Sequence, residues 1–207
     1  MFDPSAANTP RRALCPRCDR PLSTCICAWA TPTANEVSVV ILQHPLEVKQ
    51  AKGSAKLLEL SLQRAELHVG EVFDPDALST WLIGGASPTR HTVMLYPDHA
   101  ELPAPAADLN GVCPSQIRLV VLDGTWRKSL KMLHQNPALQ SLPRLSLHPD
   151  SPSRYLIRKA HRPDQLSTLE ASCLALAQLE QAPDRYEPLL TAFSSFVGEQ
   201  ARHIPHT

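Results

Sequence analysis

Apolar residues recur along this chain in two rhythms, short unbroken runs and a three-to-four-residue spacing, and the two alternate. Val37 to Leu42 and Leu119 to Leu122 are branched and uncharged, the composition of central strands buried on both faces of a parallel sheet. Leu67 to Val72 and Thr92 to Leu95 read as shorter strands, the second closing at Tyr96-Pro97. Helices are predicted from about Ser54 to Arg64 and over Pro75 to Ile83. After Leu122 the chain turns at Asp123-Gly124. Thr125 then stands where a helix cap would, and Trp126, Leu130 and Leu133 recur at i, i+4 and i+7 as the apolar face. A further helix starts at Ser167, carries Leu169, Cys173, Leu176 and Leu179, and has Glu170 three residues after its cap, the spacing of a capping box. A last helix runs from about Tyr186 to Arg202. Strands alternating with helices predict an α/β domain around a parallel central sheet.

Proline breaks this pattern in two places. Residues 98–116 carry Pro103, Pro105 and Pro114 and read as an irregular connection. Residues 143–165 carry Pro143, Pro149, Pro152 and Pro163 together with Arg154, Arg158, Lys159 and Arg162, which suits a basic loop or short strand lying over a site. The organisation expected is a loose tail over 1–13, a small cysteine-rich element over 14–30 and one main domain over 35–207. No apolar run approaches the length of a membrane span and the first residues lack a signal-peptide core, so a cytoplasmic protein without membrane contact is expected. No obligate protein partner is evident.

Cys15, Cys18, Cys25 and Cys27 form C-x2-C-x6-C-x-C, a spacing suited to tetrahedral zinc. Two disulfides are the alternative and would need an oxidising compartment. Four thiolates leave a metal no open position, so the expectation is a structural Zn2+. Cys113 and Cys173 fit neither arrangement and read as a loop thiol and a core thiol.

Formal net charge is zero, yet the charges are segregated. Residues 1–65 hold eight Lys/Arg against five acids, residues 66–114 one against seven, and residues 115–165 nine against three. If the two basic segments meet in space they form a polyanion-binding face, and otherwise they are ordinary solvated surface.

Candidate chemistry centres on Asp123, an acid at a strand C-terminus, where open α/β sheets collect ligands. Capping alone would also account for Asp123 and Thr125, and core packing for Trp126.

The DxTW sequence at Asp123 to Trp126, the upstream HPLE at His44 to Glu47, the downstream STLEA at Ser167 to Ala171 and the N-terminal cysteines resemble, in that order, the DTW-domain family. The resemblance spans roughly residues 14–180. It implies a tRNA-uridine aminocarboxypropyltransferase that moves the 3-amino-3-carboxypropyl group of S-adenosylmethionine to a uridine; the bacterial branch with the cysteine set acts on a variable-loop uridine. It also implies a SPOUT-like knotted α/β domain in which three strand-end segments touch the cofactor: Leu95, Tyr96 and Pro97; Asp123, Gly124, Thr125 and Trp126; and Leu166, Ser167 and Thr168. On that reading Asp123 accepts the imide proton or binds the cofactor's ammonium, and Trp126 packs on the cofactor or lies in the core. Glu170 is a cap or a cofactor contact, and His44 and Glu47 orient substrate or brace their turn. Arg11, Arg12, Lys49, Lys52, Arg127, Lys128, Arg154 and Arg158 are the candidates for tRNA phosphate contacts. Two other readings share these features: a SPOUT-class RNA methyltransferase with the same cofactor, and a non-enzymatic zinc-containing RNA-binding module.

Overall fold

The structure is a computed structural model that describes residues 13–50, 53–83, 91–97, 102–147 and 166–202. Five strands, β1 (Ser38–Gln43), β2 (Ala65–Val69), β3 (His91–Leu95), β4 (Ile117–Asp123) and β5 (Arg144–Leu145), form one sheet in the order β2-β1-β4-β3-β5. Every pairing is parallel. The helices are α1 (Ser54–Ser61), α2 (Pro75–Ile83), α3 (Trp126–Gln135), α4 (Pro137–Gln140), α5 (Thr168–Leu179) and α6 (Glu187–Arg202).

All residues of β1 and β4 are buried, as their apolar central runs predict, the charged Arg118 and Asp123 of β4 included. Alternate side chains go to opposite faces. Val39, Ile41, Val93, Leu119 and Val121 pack with α1, α5 and α6, while Val40, Leu42, Met94, Val120 and Leu122 pack with Leu78 and Leu82 of α2, Met132 and Leu133 of α3 and Leu139 of α4. The result is a three-layer α/β/α sandwich. The connection leaving β1 crosses the first face through α1, whereas the one leaving β4 crosses the second through α3, so the C-terminal ends of these neighbouring strands form a topological switch point.

The cysteine-rich segment is part of the first core: Cys15, Cys18 and Ile26 are buried in it and Trp29 meets Phe196 of α6 with ring centroids 5.9 Å apart. Its exit strand lies along the end of α1, where Thr33 N–H donates to Ser61 O at 2.8 Å.

Several expectations need correction. Helix α1 stops at Ser61 and not Arg64, because Leu62 turns extended and the following N–H groups go to the cysteine linker, Gln63 to Thr33 O at 3.2 Å and Arg64 to Asn35 Oδ1 at 3.1 Å. Strand β2 accordingly begins earlier, at Ala65, and ends at Val69. On α3 the buried face is Ser129, Met132 and Leu133, and Trp126 is 58% exposed. Two residues separate the end of β4 from the helix, so its first turn lies past the strand end, and among the described residues no layer covers Trp126. The broken segment after Pro143 does hold a short strand, β5, which pairs with β3 and is flanked by a bridge from Ala106 to Arg144. The capping box at Ser167 and Glu170 is formed in both directions, at 3.2 and 2.9 Å. The path from β5 to α5, and with it the knot that the resemblance implies, lies outside the described residues. Among the described residues no helix is long and apolar enough to cross a membrane.

Candidate active site and metal centre

Three elements meet at Asp123. It is the last residue of β4, 7% exposed, and pairs in register with Gln43, the last residue of β1. Gln43 Nε2 donates to Asp123 Oδ2 at 2.9 Å, and His44 N–H donates to the Asp123 carbonyl at 2.9 Å. From the third element, α5, the Thr168 side chain hydrogen-bonds the same carboxylate. Burial pushes the Asp123 carboxyl above its ordinary range; the bonds from Thr168 and Gln43 oppose that shift, and the charge of Glu47 adds to it.

Gly124 forms the turn. A Cβ there would sit 3.2 Å from both Lys128 Cβ and Ser129 Oγ, so the glycine lets α3 start close against the strand end. Thr125 occupies the N-cap position with extended backbone, but its hydroxyl makes no cap bond. Trp126 stands over Tyr96, ring centroids 5.7 Å apart at 72°, which brings the segment after β3 to the segment after β4. Tyr96 is itself buried, its hydroxyl pushed up by desolvation, and the Arg144 guanidinium carbon lies 5.6 Å from its ring centre. Leu95 and Leu166 are partly buried, Pro97 is exposed, and Ser167 is held in its capping box.

His44 caps the short turn Pro45–Glu47: its Nδ1 accepts from Leu46 N–H at 3.2 Å, which leaves Nε2–H to donate to Glu71 Oε1 at 3.0 Å. Lys131 bonds the same Glu71 oxygen at 2.9 Å, and that bond first, His44 second, holds the Glu71 carboxyl below its usual range. Glu47 pairs with Lys128 at 2.6 Å. Of the proposed phosphate contacts, Lys49 and Arg127 are exposed and Lys128 is engaged by Glu47. Arg11, Arg12, Lys52, Arg154 and Arg158 lie outside the described residues.

The four N-terminal cysteines converge, with all sulfurs within 4.8 Å of one another. Cys15 and Cys27 Sγ are 3.7 Å apart, as are Cys18 and Cys25. A tetrahedron of sulfurs ~2.3 Å from a zinc ion has edges of about 3.8 Å, so the donor set fits a metal. All four are free thiols. Backbone N–H groups, that of Arg17 foremost, lower the Cys15 thiol to about 6, while burial and the neighbouring sulfurs push Cys27 up to about 12. Four adjacent thiolates need a cation among them.

A model of the DTW domain matches residues 12–201. The chain belongs to the DTW domain family.

Among curated relatives, this DTW chain is 31% identical to tRNA-uridine aminocarboxypropyltransferase 2 of Drosophila melanogaster over 184 residues, 87% of this chain and 72% of that one. It is 29% identical to the Macaca fascicularis protein of the same name, covering 93% of this chain and 65% of that one. Identity to tRNA-uridine aminocarboxypropyltransferase A of Arabidopsis thaliana is 31%, over 59% of this chain and 51% of that one. The chain thus spans about two thirds of the length of its animal relatives. No solved structure matches it.

Two members of the site escaped the sequence reading. Gln43 was visible only as a polar residue ending a buried strand, and Glu71 only as an acid following Gly70. The first carries a signal that could have been used, since a buried polar side chain at a parallel strand end needs a partner.

Proposed function

We propose that this DTW-domain chain is an S-adenosylmethionine-dependent tRNA-uridine aminocarboxypropyltransferase, the activity its relatives are named for. S-Adenosylmethionine supplies the 3-amino-3-carboxypropyl group when bound. The uridine imide nitrogen forms a bond to the methylene carbon beside the sulfonium as the carbon–sulfur bond breaks; methylthioadenosine departs with that electron pair and the imide proton is lost. The substrate class is a variable-loop uridine of tRNA, turned out of its stack to reach the site.

The observation that carries this reading is the buried Asp123 carboxylate at the switch point, bonded by Gln43 with Trp126 exposed beside it. An imide about as acidic as a tyrosine hydroxyl, pKa ~10, is roughly 6 units above an unperturbed Asp, a mismatch of about 8 kcal/mol. Free abstraction is therefore excluded. The upward push of burial narrows the gap, and proton loss coupled to attack on a cationic donor closes more of it. The same anion attracts the donor's ammonium or sulfonium.

The segments at Leu95 to Pro97, Asp123 to Trp126 and Leu166 to Thr168 form the donor site. Lys49 and Arg127, with Arg11, Arg12, Lys52, Arg154 and Arg158, serve the tRNA backbone, while Lys128, first a candidate for the same role, is taken up by Glu47. The cysteine centre holds a structural zinc, for which the 3.7 Å sulfur separations speak.

Mass spectrometry of tRNA incubated with the purified protein and S-adenosylmethionine tests the reading. A nucleoside heavier by one aminocarboxypropyl group, with methylthioadenosine in the same tube, is expected. A methyl-sized gain with S-adenosylhomocysteine would reassign the chain as an RNA methyltransferase, and RNA binding without any product would leave a zinc-containing binding module.

A further inference from the structure

Gln43 breaks the apolar run of β1 at its last position, where it is 4% exposed. A side-chain amide buried there without a partner would cost about 1–3 kcal/mol. Its partner is the Asp123 carboxylate, directly across the parallel ladder, and the main chains of both residues are pinned as well. Gly70 N–H donates to the Gln43 carbonyl at 3.0 Å, and His44 N–H to the Asp123 carbonyl at 2.9 Å. The amide therefore has little freedom to point elsewhere.

Among the described residues, the charged groups around the carboxylate are arranged so that none neutralises it. Lys128 lies nearby but is engaged by Glu47, while Lys131 and His44 both converge on Glu71. On α5, Glu170 is turned back onto the Ser167 N–H, and Thr168 offers a neutral hydroxyl. Had a lysine or arginine stood where Gln43 stands, it would lower the carboxyl pKa by about 1–3 units and cancel its charge.

We propose that Gln43 is the positioning residue for Asp123, a neutral donor that fixes the carboxylate's orientation while leaving its negative charge for a cationic donor substrate. This rests on Asp123 being the reacting carboxylate of the proposed transferase. Charge and orientation are thereby separated. Gln43 and Thr168 set where the oxygens point, and no cation among the described residues takes their charge.

The test follows the Asp123 carboxyl resonance by 13C NMR against pH in the full-length, metal-loaded protein, with Asp123→Asn to assign it, alongside the pH profile of transfer. Gln43→Leu should raise the Asp123 midpoint by about one unit or more and lower kcat roughly 10–100-fold. Gln43→Glu should raise it further, because two carboxylates then face each other at the 2.9 Å contact. Gln43→Asn, which keeps the amide but shortens it, should fall between wild type and Gln43→Leu. A folded Gln43→Leu or Gln43→Glu protein with the wild-type midpoint would overturn the proposal. If the wild-type protein transfers nothing, the functional reading fails, while the resonance still reports whether Gln43 governs the carboxylate.

Discussion

Lys128 on α3 reaches across to Glu47, in the turn after β1, with Nζ 2.6 Å from Oε1. Both side chains are largely covered, so the pair ties the loop leaving β1 to the helix leaving β4 across the mouth of the switch point. Its neighbour Arg127 is exposed, and these two adjacent cations have different work.

Arg127→Gln should weaken tRNA binding a few-fold and reduce the slope of log affinity against log salt by about one, the signature of one lost phosphate contact. Lys128→Gln should leave that slope close to wild type while moving the pH profile of transfer upward, because it frees Glu47 to raise the Asp123 carboxyl further. Fluorescence polarisation with labelled tRNA at several salt concentrations separates the two. Equal loss of slope in both variants would show Lys128 to be an ordinary phosphate contact.

Asp123 carries a stability cost that its replacement should reveal. Its folded pKa lies above the unfolded value of about 3.9, so ionisation disfavours folding. The corresponding stability is present below about pH 4 and is lost as pH rises through the folded pKa. Asp123→Asn, whose amide oxygen can accept from Gln43, should therefore unfold at a higher temperature than wild type at pH 7–8 and lose that advantage as pH falls to about 4, while transfer is abolished. Thermal unfolding of both proteins across this pH range checks the sign, and a less stable variant at neutral pH would refute it.

The parallel sheet was legible because β1 and β4 are buried on both faces and keep unbroken apolar runs, Val39 to Leu42 and Leu119 to Leu122, with their polar residues confined to the strand ends. The capping box was legible because Ser167 and Glu170 bond within one helical turn. What periodicity misjudged was the face of α3: Trp126, Leu130 and Leu133 do share a stripe, but the stripe is covered only where the second core lies above it, and Trp126 falls beyond the sheet's end. Nor does spacing reveal Gln43 or Glu71, whose roles come from strand register and from a loop meeting across the switch point. The match of DxTW to a strand-end turn was readable, whereas its neutral hydrogen-bonding partner was not.

The cysteine centre should hold one zinc per chain, measurable by native mass spectrometry, and its removal should destabilise the whole domain because Cys15, Cys18 and Ile26 belong to the main core. A strong chelator should cost at least about 2 kcal/mol, or roughly 4–8 °C in Tm for a domain of this size. Arg20 fastens the element to the loop after β1 through the Gln50 carbonyl. Gly53, at φ 48°, leaves room for it, since a Cβ there would come within 2.8 Å of Arg20 Nη2. Gly53→Ala should accordingly cost about 1 kcal/mol or more through strain and displacement of Arg20. Unchanged melting after complete metal removal would mean that the centre stabilises only itself.

Glu180 closes the other end of the molecule. Its side chain is 0% exposed, and each oxygen receives two donors. Oε1 accepts from the N–H groups of Glu36 and Val37 at 2.8 and 2.9 Å, and Oε2 from Arg185 Nη1 at 2.5 Å and the Tyr186 hydroxyl at 2.8 Å. One carboxylate thus anchors the entry into β1 to the turn between α5 and α6. Burial, and then the bond to Glu180, hold the Tyr186 hydroxyl far above its usual range, so this contribution to stability is present below about pH 10 and is lost as pH rises further. Glu180→Ala strands two backbone donors, a tyrosine hydroxyl and a partly covered guanidinium, and should cost about 3 kcal/mol or more in urea unfolding. Glu180→Gln should cost less, because its amide oxygen still serves two of the four donors while its NH2 faces the others. Activity per folded molecule should remain close to wild type in both, since the carboxylate lies at the opposite end of β1 from Gln43; a loss of less than 1 kcal/mol in Glu180→Ala, taking about 1.5 kcal/mol as the least a charged hydrogen bond contributes, would show that solvent replaces it.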